Sequence, residues 1–568
     1  MKNAKMHRTT TNRNALEFES SWARGPLLQR YDVISGSLNQ PHDSVDILKA
    51  FKAWEQVRRD VASWKGVAEI RMRQNTNDIA ANQQHAAFAS ASPQFETRDS
   101  EIKRLILESP HRDVLASHVG PFIFKRWEFD LCGSDPRMHP YLEEQSRLGT
   151  RYTRILATMQ FSLHGRPFTQ PELTTLQKHP NRALRREALF EKWASFEACS
   201  EELDDIFDAL VRSRTSMAQA LNEPSFIGLA YRRLGRIDYA VSDVRKLREE
   251  IHEAIVPLAA RLVAEQEQQL GIEALMPWDE SLYEASPQTP IHVPIEHIMH
   301  GLKCAYESTS AEIANFWQEL THRSLMDVYD RPGKALGAFC EYLPHIGMPF
   351  VFANASGAPR NALTIAHETG HAFQLYSSQH YKAMDLIIPA NETGEIHSLS
   401  LEFLLWPHFD SILSCGVEEF RRTHLRSMLM MLPYIAAIDH FQEAVYERPE
   451  ASVKDRRSIW LEMEAFYMPW RKHGDIPALL RGGAWQAQRH VYRFPFYYID
   501  YAIALCCALQ IWQESRVHYE VAVERYLDLC KLGGSLPFRQ ILMRAGIMSP
   551  FERGTLARAA VEAASYLL

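Results

Sequence analysis

Between residues 43 and 64, apolar side chains recur at three- and four-residue steps: Val45, Leu48, Phe51, Trp54, Val57, Val61 and Trp64. That spacing puts them on one face of a helix. Helical patterning continues over residues 102–107 and 141–155. Residues 157–169 differ: Met159, Phe161 and Leu163 alternate and His164-Gly165 follows, which predicts a short hairpin. Thr169, with Pro171 and Glu172 behind it, then predicts a capped helix start. Residues 181–275 read as long amphipathic helices. Leu203, Ile206, Phe207, Leu210 and Val211 form one apolar stripe, and Val244, Leu247, Ile251, Ile255 and Leu258 form another. Both suit a packed core. Residues 276–293 are rich in proline and acids and read as a loop, and helices resume over 295–321. Residues 337–339 and 349–353 are the strand candidates of the second half. Helices follow to residue 568, interrupted by glycine, proline and aromatics over 481–496. No fixed-period repeat marks a solenoid. The expected class is mostly α, with a small β element near residue 350.

The 568 residues allow a large core and several ordinary domains. We expect a flexible arm over residues 1–40, a helical region over 41–175 and a catalytic domain over 176–568. Apolar residues make up 46% and charged residues 23%, as in an ordinary soluble protein. The net charge of −7 and the lack of a long basic run argue against a nucleic-acid partner. The apolar runs at 429–438 and 501–509 are too short to span a bilayer, so no membrane partner is expected. The eight cysteines are scattered with no Cys-x-x-Cys, which fits a reducing compartment. The first residues are polar and basic with no apolar h-region, so the expected location is cytoplasmic.

The chemistry centres on Thr364-Ile365-Ala366-His367-Glu368-Thr369-Gly370-His371-Ala372-Phe373. Histidines four apart on a helix are separated by about 400° of rotation and project from one face. Two neutral imidazoles so placed can grip a divalent metal, and Glu368 can serve as general base toward a water there. Asn361 is a candidate cap for this helix. A third ligand is needed. The segment from Asn391 to Glu402 offers Glu395, 24 positions after His371, and Glu402 two helical turns further on the same face. We assign Glu395 to the metal and Glu402 to a ring N–H of a ligand histidine. Glu392 is the competing ligand, Glu402 could be a simple surface acid, and His397 reads as structural. Two histidines and a carboxylate leave a position for water, which zinc hydrolases use; the same set could hold iron in an oxygenase. The glutamate beside His367 favours hydrolysis.

Late in the chain, four tyrosines and a histidine fall within residues 490–501. With Pro495-Phe496-Tyr497-Tyr498-Ile499-Asp500-Tyr501-Ala502, the zinc motif, Gly394-Glu395-Ile396-His397-Ser398 and Gly337-Ala338-Phe339, the sequence resembles the thimet oligopeptidase and oligoendopeptidase F family of zinc peptidases, on the oligoendopeptidase F side. The resemblance also takes in Asn181-Arg182-Ala183-Leu184-Arg185-Arg186-Glu187-Ala188 and spans residues 155–568, while the first 150 residues match only in being helical. It implies one zinc ion on His367, His371 and Glu395, with Glu368 as base. It also implies Tyr501 as oxyanion donor, His490 as a substrate-positioning group and Gly337, Ala338 and Phe339 as a substrate edge. The family's inner tyrosine falls on Ile499 here, with Tyr498 one place before it as the candidate second donor. The implied fold has two helical lobes flanking a deep channel, and the implied activity is cleavage of short peptides. A different metal enzyme on the same ligands and an inactive helical scaffold are the alternative readings.

Overall fold

The computed structural model describes residues 13–39, 43–133, 135–283 and 292–568. The protein is mostly helical, with five short strands among the described residues: β1 (Phe161–Leu163), β2 (Arg166–Phe168), β3 (Met326–Tyr329), β4 (Phe339–Leu343) and β5 (Met348–Ala355). The chain divides into two compact units, each assembled from three separated segments. One comprises Met1–Ser134, Thr289–Val417 and Cys507–Met548; the other comprises Asp135–Gln288, Glu418–Cys506 and Ser549–Leu568.

In the first unit the expected arm is helical over Arg24–Asn39, and residues 1–12 lie outside the described residues. Leu27, Tyr31, Ile34 and Leu38 are all buried at helical spacing, which fixes the segment against its neighbours. The next helix, Ser44–Gln74, starts where Asp43 accepts from the Val45 and Asp46 N–H groups. Its buried face runs through Ile47, Phe51, Trp54, Val57 and Trp64. Val45 belongs to the first turn and is 51% exposed. Arg58 of this helix makes a bidentate pair with Asp385 (2.6 and 2.8 Å), whose carboxylate also accepts from Trp127 Nε1. Glu55 accepts from the Met384 N–H. The N-terminal helices thereby hold the short segment Met384–Ile387, which lies between the two helices described below.

The first unit's sheet has the order β3-β5-β4, with β3 parallel and β4 antiparallel to β5. β5 is central and its Met348–Ala353 run is buried, as a strand covered on both faces requires. The loop into β4 is organised by Asp327, which pairs with Arg331 (2.7 Å) and with the buried Lys334 (2.8 Å). Lys334 also donates to the Tyr329 and Ala353 carbonyls.

In the second unit the expected hairpin forms: β1 and β2 pair with Leu163 opposite Arg166. His164 and Gly165 both take positive φ (52° and 77°), the two-residue turn whose twist suits a hairpin. Both predicted stripes are buried. The helical stretch from Val241 to Leu270 carries one wide turn over Ile251–Ile255, just ahead of Pro257, which has no N–H to offer the ladder.

Candidate active site

Strand β5 runs out at Ala355 and the chain turns into the motif helix, Asn361–Ser378. Asn361 was the expected cap. Its side chain instead accepts from the Ser356 and Gly357 N–H groups, so it braces the turn before the helix. The helix buries Ala362, Ile365, Ala366, Thr369, Ala372 and Phe373, and Phe373 packs against Phe316 and Tyr526 at 5.5 and 6.1 Å between ring centroids. The return helix, Asn391–Leu404, is buried along almost its whole length. The two helices touch at Gly370. A Cβ there would lie 2.7 Å from Ser398 Cα and 2.8 Å from the His397 carbonyl oxygen. Only glycine permits that approach.

The close approach brings Glu395 to the histidines. Ligand atoms of His367, His371 and Glu395 all lie within 4.8 Å of one another. Glu395 Oε2 is 3.4 Å from His367 Nε2 and 3.7 Å from His371 Nε2. Donor atoms about 2.0–2.1 Å from a shared tetrahedral centre stand about 3.3–3.4 Å apart, so the three are spaced as zinc ligands would be. Among the described residues no other such group of histidine, cysteine and acidic side chains occurs. Glu392, the competing candidate, is buried but is not in this group. Glu402 is buried too, and its Oε1 lies 2.8 Å from His367 Nδ1, leaving Nε2 turned toward Glu395. His397 is fully buried, with Nε2 3.5 Å from the Leu529 carbonyl.

Burial and charge set the protonation of these groups. Burial opposes a proton on His367, but the Glu395 and Glu402 carboxylates outweigh it and raise its pKa. Burial likewise pushes Glu395 up, and its contacts with His367 and His371 bring it below the usual carboxylate range. Burial takes His371 down to about 4. It pushes Glu368, 8% exposed, up to about 7 despite the opposing charge of His367. A carboxyl poised near neutrality is suited to taking and returning a proton. The excess of carboxylates around two imidazoles is a donor set that suits a divalent cation.

Of the expected substrate edge, Phe339 opens β4, while Gly337 and Ala338 belong to the turn before it. Gly337 takes φ = 103°, and its carbonyl accepts from Asn354 Nδ2. Among the described residues strand β4 is paired on one side only. The Val351 N–H donates to Leu325 on the β3 side, so the Cys340–Val351 pair exchanges no ladder bonds. The N–H and C=O of Cys340 therefore point to the unpaired edge. This residue was not foreseen, because its orientation depends on a register set by Leu325.

The aromatic segment divides by direction. Trp485, Tyr492 and Phe496 enter the second unit's core, where Tyr492 stacks on Tyr152 at 4.0 Å. His490, Tyr497, Tyr498 and Tyr501 stay half-buried and cluster. The Tyr498 and Tyr501 rings are 5.7 Å apart, and His490 is 4.7 Å from Tyr498 and 6.2 Å from Tyr501. Ile499 is fully buried, whereas Tyr497 and Tyr498 both stand beside Tyr501, the Tyr497 ring 5.6 Å from it. Burial, then Tyr501, pushes the Tyr498 hydroxyl up to about 12, which keeps its proton available to donate. Gln488 Nε2 lies 2.6 Å from His490 Nδ1, while Gln488 Oε1 accepts from the Tyr434 hydroxyl. That orientation of the amide leaves the imidazole proton on Nε2. Gln488 and Tyr434 carry no pattern that sequence reasoning could have used.

A two-histidine, one-carboxylate cluster with a glutamate between the histidines defines a metallohydrolase type of site. Residues 175–561 match Peptidase family M3 and residues 27–132 match the Peptidase M3 N-terminal domain; the chain belongs to peptidase family M3. The likeness thus extends through the N-terminal helices, beyond the stretch in which the motifs lie. PZ peptidase A, solved with inhibitor 2, is similar at a TM-score of 0.90 and 32% identity, covering 97% of this chain and 99% of that one. The oligoendopeptidase F homolog of Borreliella burgdorferi is 26% identical over 225 residues, 37% of this chain and 36% of that protein. Oligopeptidase PepF of Bacillus subtilis is 22% identical over 271 residues, 44% of this chain and 39% of that protein. The aligned stretch therefore spans well under half the length of these two relatives. Among the described residues no helix is long and apolar enough to cross a membrane.

Proposed function

We propose that the protein is a zinc-dependent oligopeptidase hydrolysing short peptides. The observation that carries this reading is the convergence of His367, His371 and Glu395, with Glu368 raised toward neutrality on the same helix. Zinc bound by those three residues supplies Lewis-acid polarisation of the scissile carbonyl and acidifies the attacking water. Glu402 holds His367 by Nδ1, which fixes the ring and its tautomer. Glu368 takes a proton from the attacking water and passes it to the leaving amine nitrogen. Tyr501, with Tyr498 beside it, donates a hydrogen bond from its hydroxyl to the developing oxyanion, and His490 offers Nε2–H to a substrate carbonyl. The outward N–H and C=O of Cys340 pair with the substrate backbone as in strand addition. The eight cysteines are scattered along the chain with no Cys-x-x-Cys pair, which supports a cytoplasmic location.

The test is incubation with a mixed peptide library, with and without a chelator, read by mass spectrometry alongside metal analysis. Cleavage that stops with chelator and about one zinc per chain are expected, as a single three-ligand site requires. Unchanged cleavage in chelator, or no bound metal, would overturn the proposal.

A further inference from the structure

The turn that presents Tyr497, Tyr498 and Tyr501 is built on a strained residue. Phe496 takes φ = 63°, in the left-handed region that residues with a Cβ rarely occupy. Its surroundings hold it there. Its N–H donates to Gln442 Oε1 at 3.1 Å, and its carbonyl accepts from Arg236 Nη2 at 2.5 Å. The same guanidinium nitrogen reaches Asp500 Oδ1 at 2.7 Å. Asp500 opens the next helix, Asp500–Val517, and immediately precedes Tyr501. Arg236 is 4% exposed and Asp500 1%. The Phe496 ring packs against Tyr446 and Tyr231, with centroids 5.7 and 5.9 Å away, and the Arg236 guanidinium lies 4.1 Å over the Tyr231 ring. One buried cation therefore joins the carbonyl just before the tyrosine pair to the carboxylate just before Tyr501.

Strain held by converging contacts is characteristic of sites that must keep one geometry. A buried ion pair is weak evidence for added stability and is best attested where it selects one arrangement. We infer that Arg236, with Gln442, is a positioning residue for peptide hydrolysis: it holds the Phe496 turn and Asp500 so that Tyr498 and Tyr501 are presented together. This rests on the proposed role of Tyr501.

The experiment is a set of cycles combining Arg236→Lys and Gln442→Leu, separately, with Tyr501→Phe. Each variant is first checked for native circular dichroism and metal content. Gln442→Leu removes the acceptor for the Phe496 N–H, along with a donor to the Ile438 carbonyl of its own helix, and leaves Arg236 in place, so it serves if the arginine variant does not fold. Each single variant should lower kcat by on the order of 10- to 100-fold, the loss a small misplacement of a reacting group produces, with KM and metal content little changed. In the Tyr501→Phe background the same substitutions should add almost nothing. Wild-type kcat in folded Arg236→Lys and Gln442→Leu would overturn the inference, and so would losses that add fully to that of Tyr501→Phe. Those outcomes leave the oxyanion reading intact if Tyr501→Phe is slow. A fully active Tyr501→Phe would overturn that reading and the inference with it.

Discussion

Glu368, Glu395 and Glu402 stand around the same pair of histidines, and their surroundings separate their tasks. Glu395 faces both Nε2 atoms, Glu402 takes Nδ1 of His367, and Glu368 is buried, which lifts its pKa to about 7. Replacing Glu368 by Gln should keep the metal and lower kcat by at least about 10²–10⁴-fold, the usual worth of a positioned base. Metal analysis and turnover on the same preparation check this; a variant with the wild-type rate would remove Glu368 from the mechanism. Glu395→Ala should cost far more zinc affinity than Glu392→Ala, measured by chelator competition, and the opposite order would move the third ligand to Glu392. At this scale much of the site was legible, because helical spacing alone puts His367 with His371 and Glu395 with Glu402. Cys340 and Arg236 were not legible. The first depends on which way Val351 donates, and the second acts on residues 260 and 264 positions away in sequence.

Elements were legible where apolar residues recur against a polar background, as in the stripes from Leu203 to Val211 and from Val244 to Leu258. They were harder to read where small residues weaken the contrast. The helix Ile79–Glu108 is rich in alanine, and only its end, with Ile102 and Ile106, shows in the pattern. Contacts between elements were legible least of all, and Gly370 is the instructive case. Gly370→Ala would place a methyl group against the Ser398 backbone, overpacking worth about 1–3 kcal/mol. It should move the return helix and Glu395 with it, so zinc affinity should fall along with melting temperature. Full affinity at lowered stability would show that the helices can part without displacing the ligand. The loop into β4 makes a separate prediction. Burial pushes the Asp327 carboxyl up, but Arg331 and Lys334 bring it below its ordinary value. A depressed carboxylate contributes stability that is complete above the unfolded pKa and is lost as pH falls through the folded one. Asp327→Asn, which leaves Lys334 buried without its charge partner, should therefore be less stable at neutral pH. Its urea midpoint should approach that of the wild type only as pH falls below the ordinary carboxylate range and through the lowered folded pKa, where the wild-type carboxylate is also neutralised. A gap that stays constant with pH would mean that the pair contributes nothing.

At the scale of the whole molecule, the chain divides into two compact units, neither of them a single run of sequence. Each unit takes three separated segments, and such interleaving leaves no mark in local periodicity. The Arg58–Asp385 pair shows the consequence, since an N-terminal helix holds the segment that joins the motif helix to the return helix. On the proposed function, what the site can accept follows from β4. Its outer edge offers the N–H and C=O of Cys340, and a substrate that pairs there must bring main-chain groups not already bonded. A short peptide has them, whereas a folded domain has committed most of its own to secondary structure. One cleavable sequence should therefore be offered three ways: as a free peptide, as the same peptide N-methylated at alternate positions, and within a surface loop of a stable domain. The free peptide should be cut. The methylated one should show a raised KM when the methyl groups fall on the residues that face β4, because a methylated nitrogen cannot donate to the edge. The loop should survive at enzyme concentrations that consume the peptide. Comparable cutting of loop and peptide, or indifference to methylation in both registers, would show that recognition does not run through the strand edge.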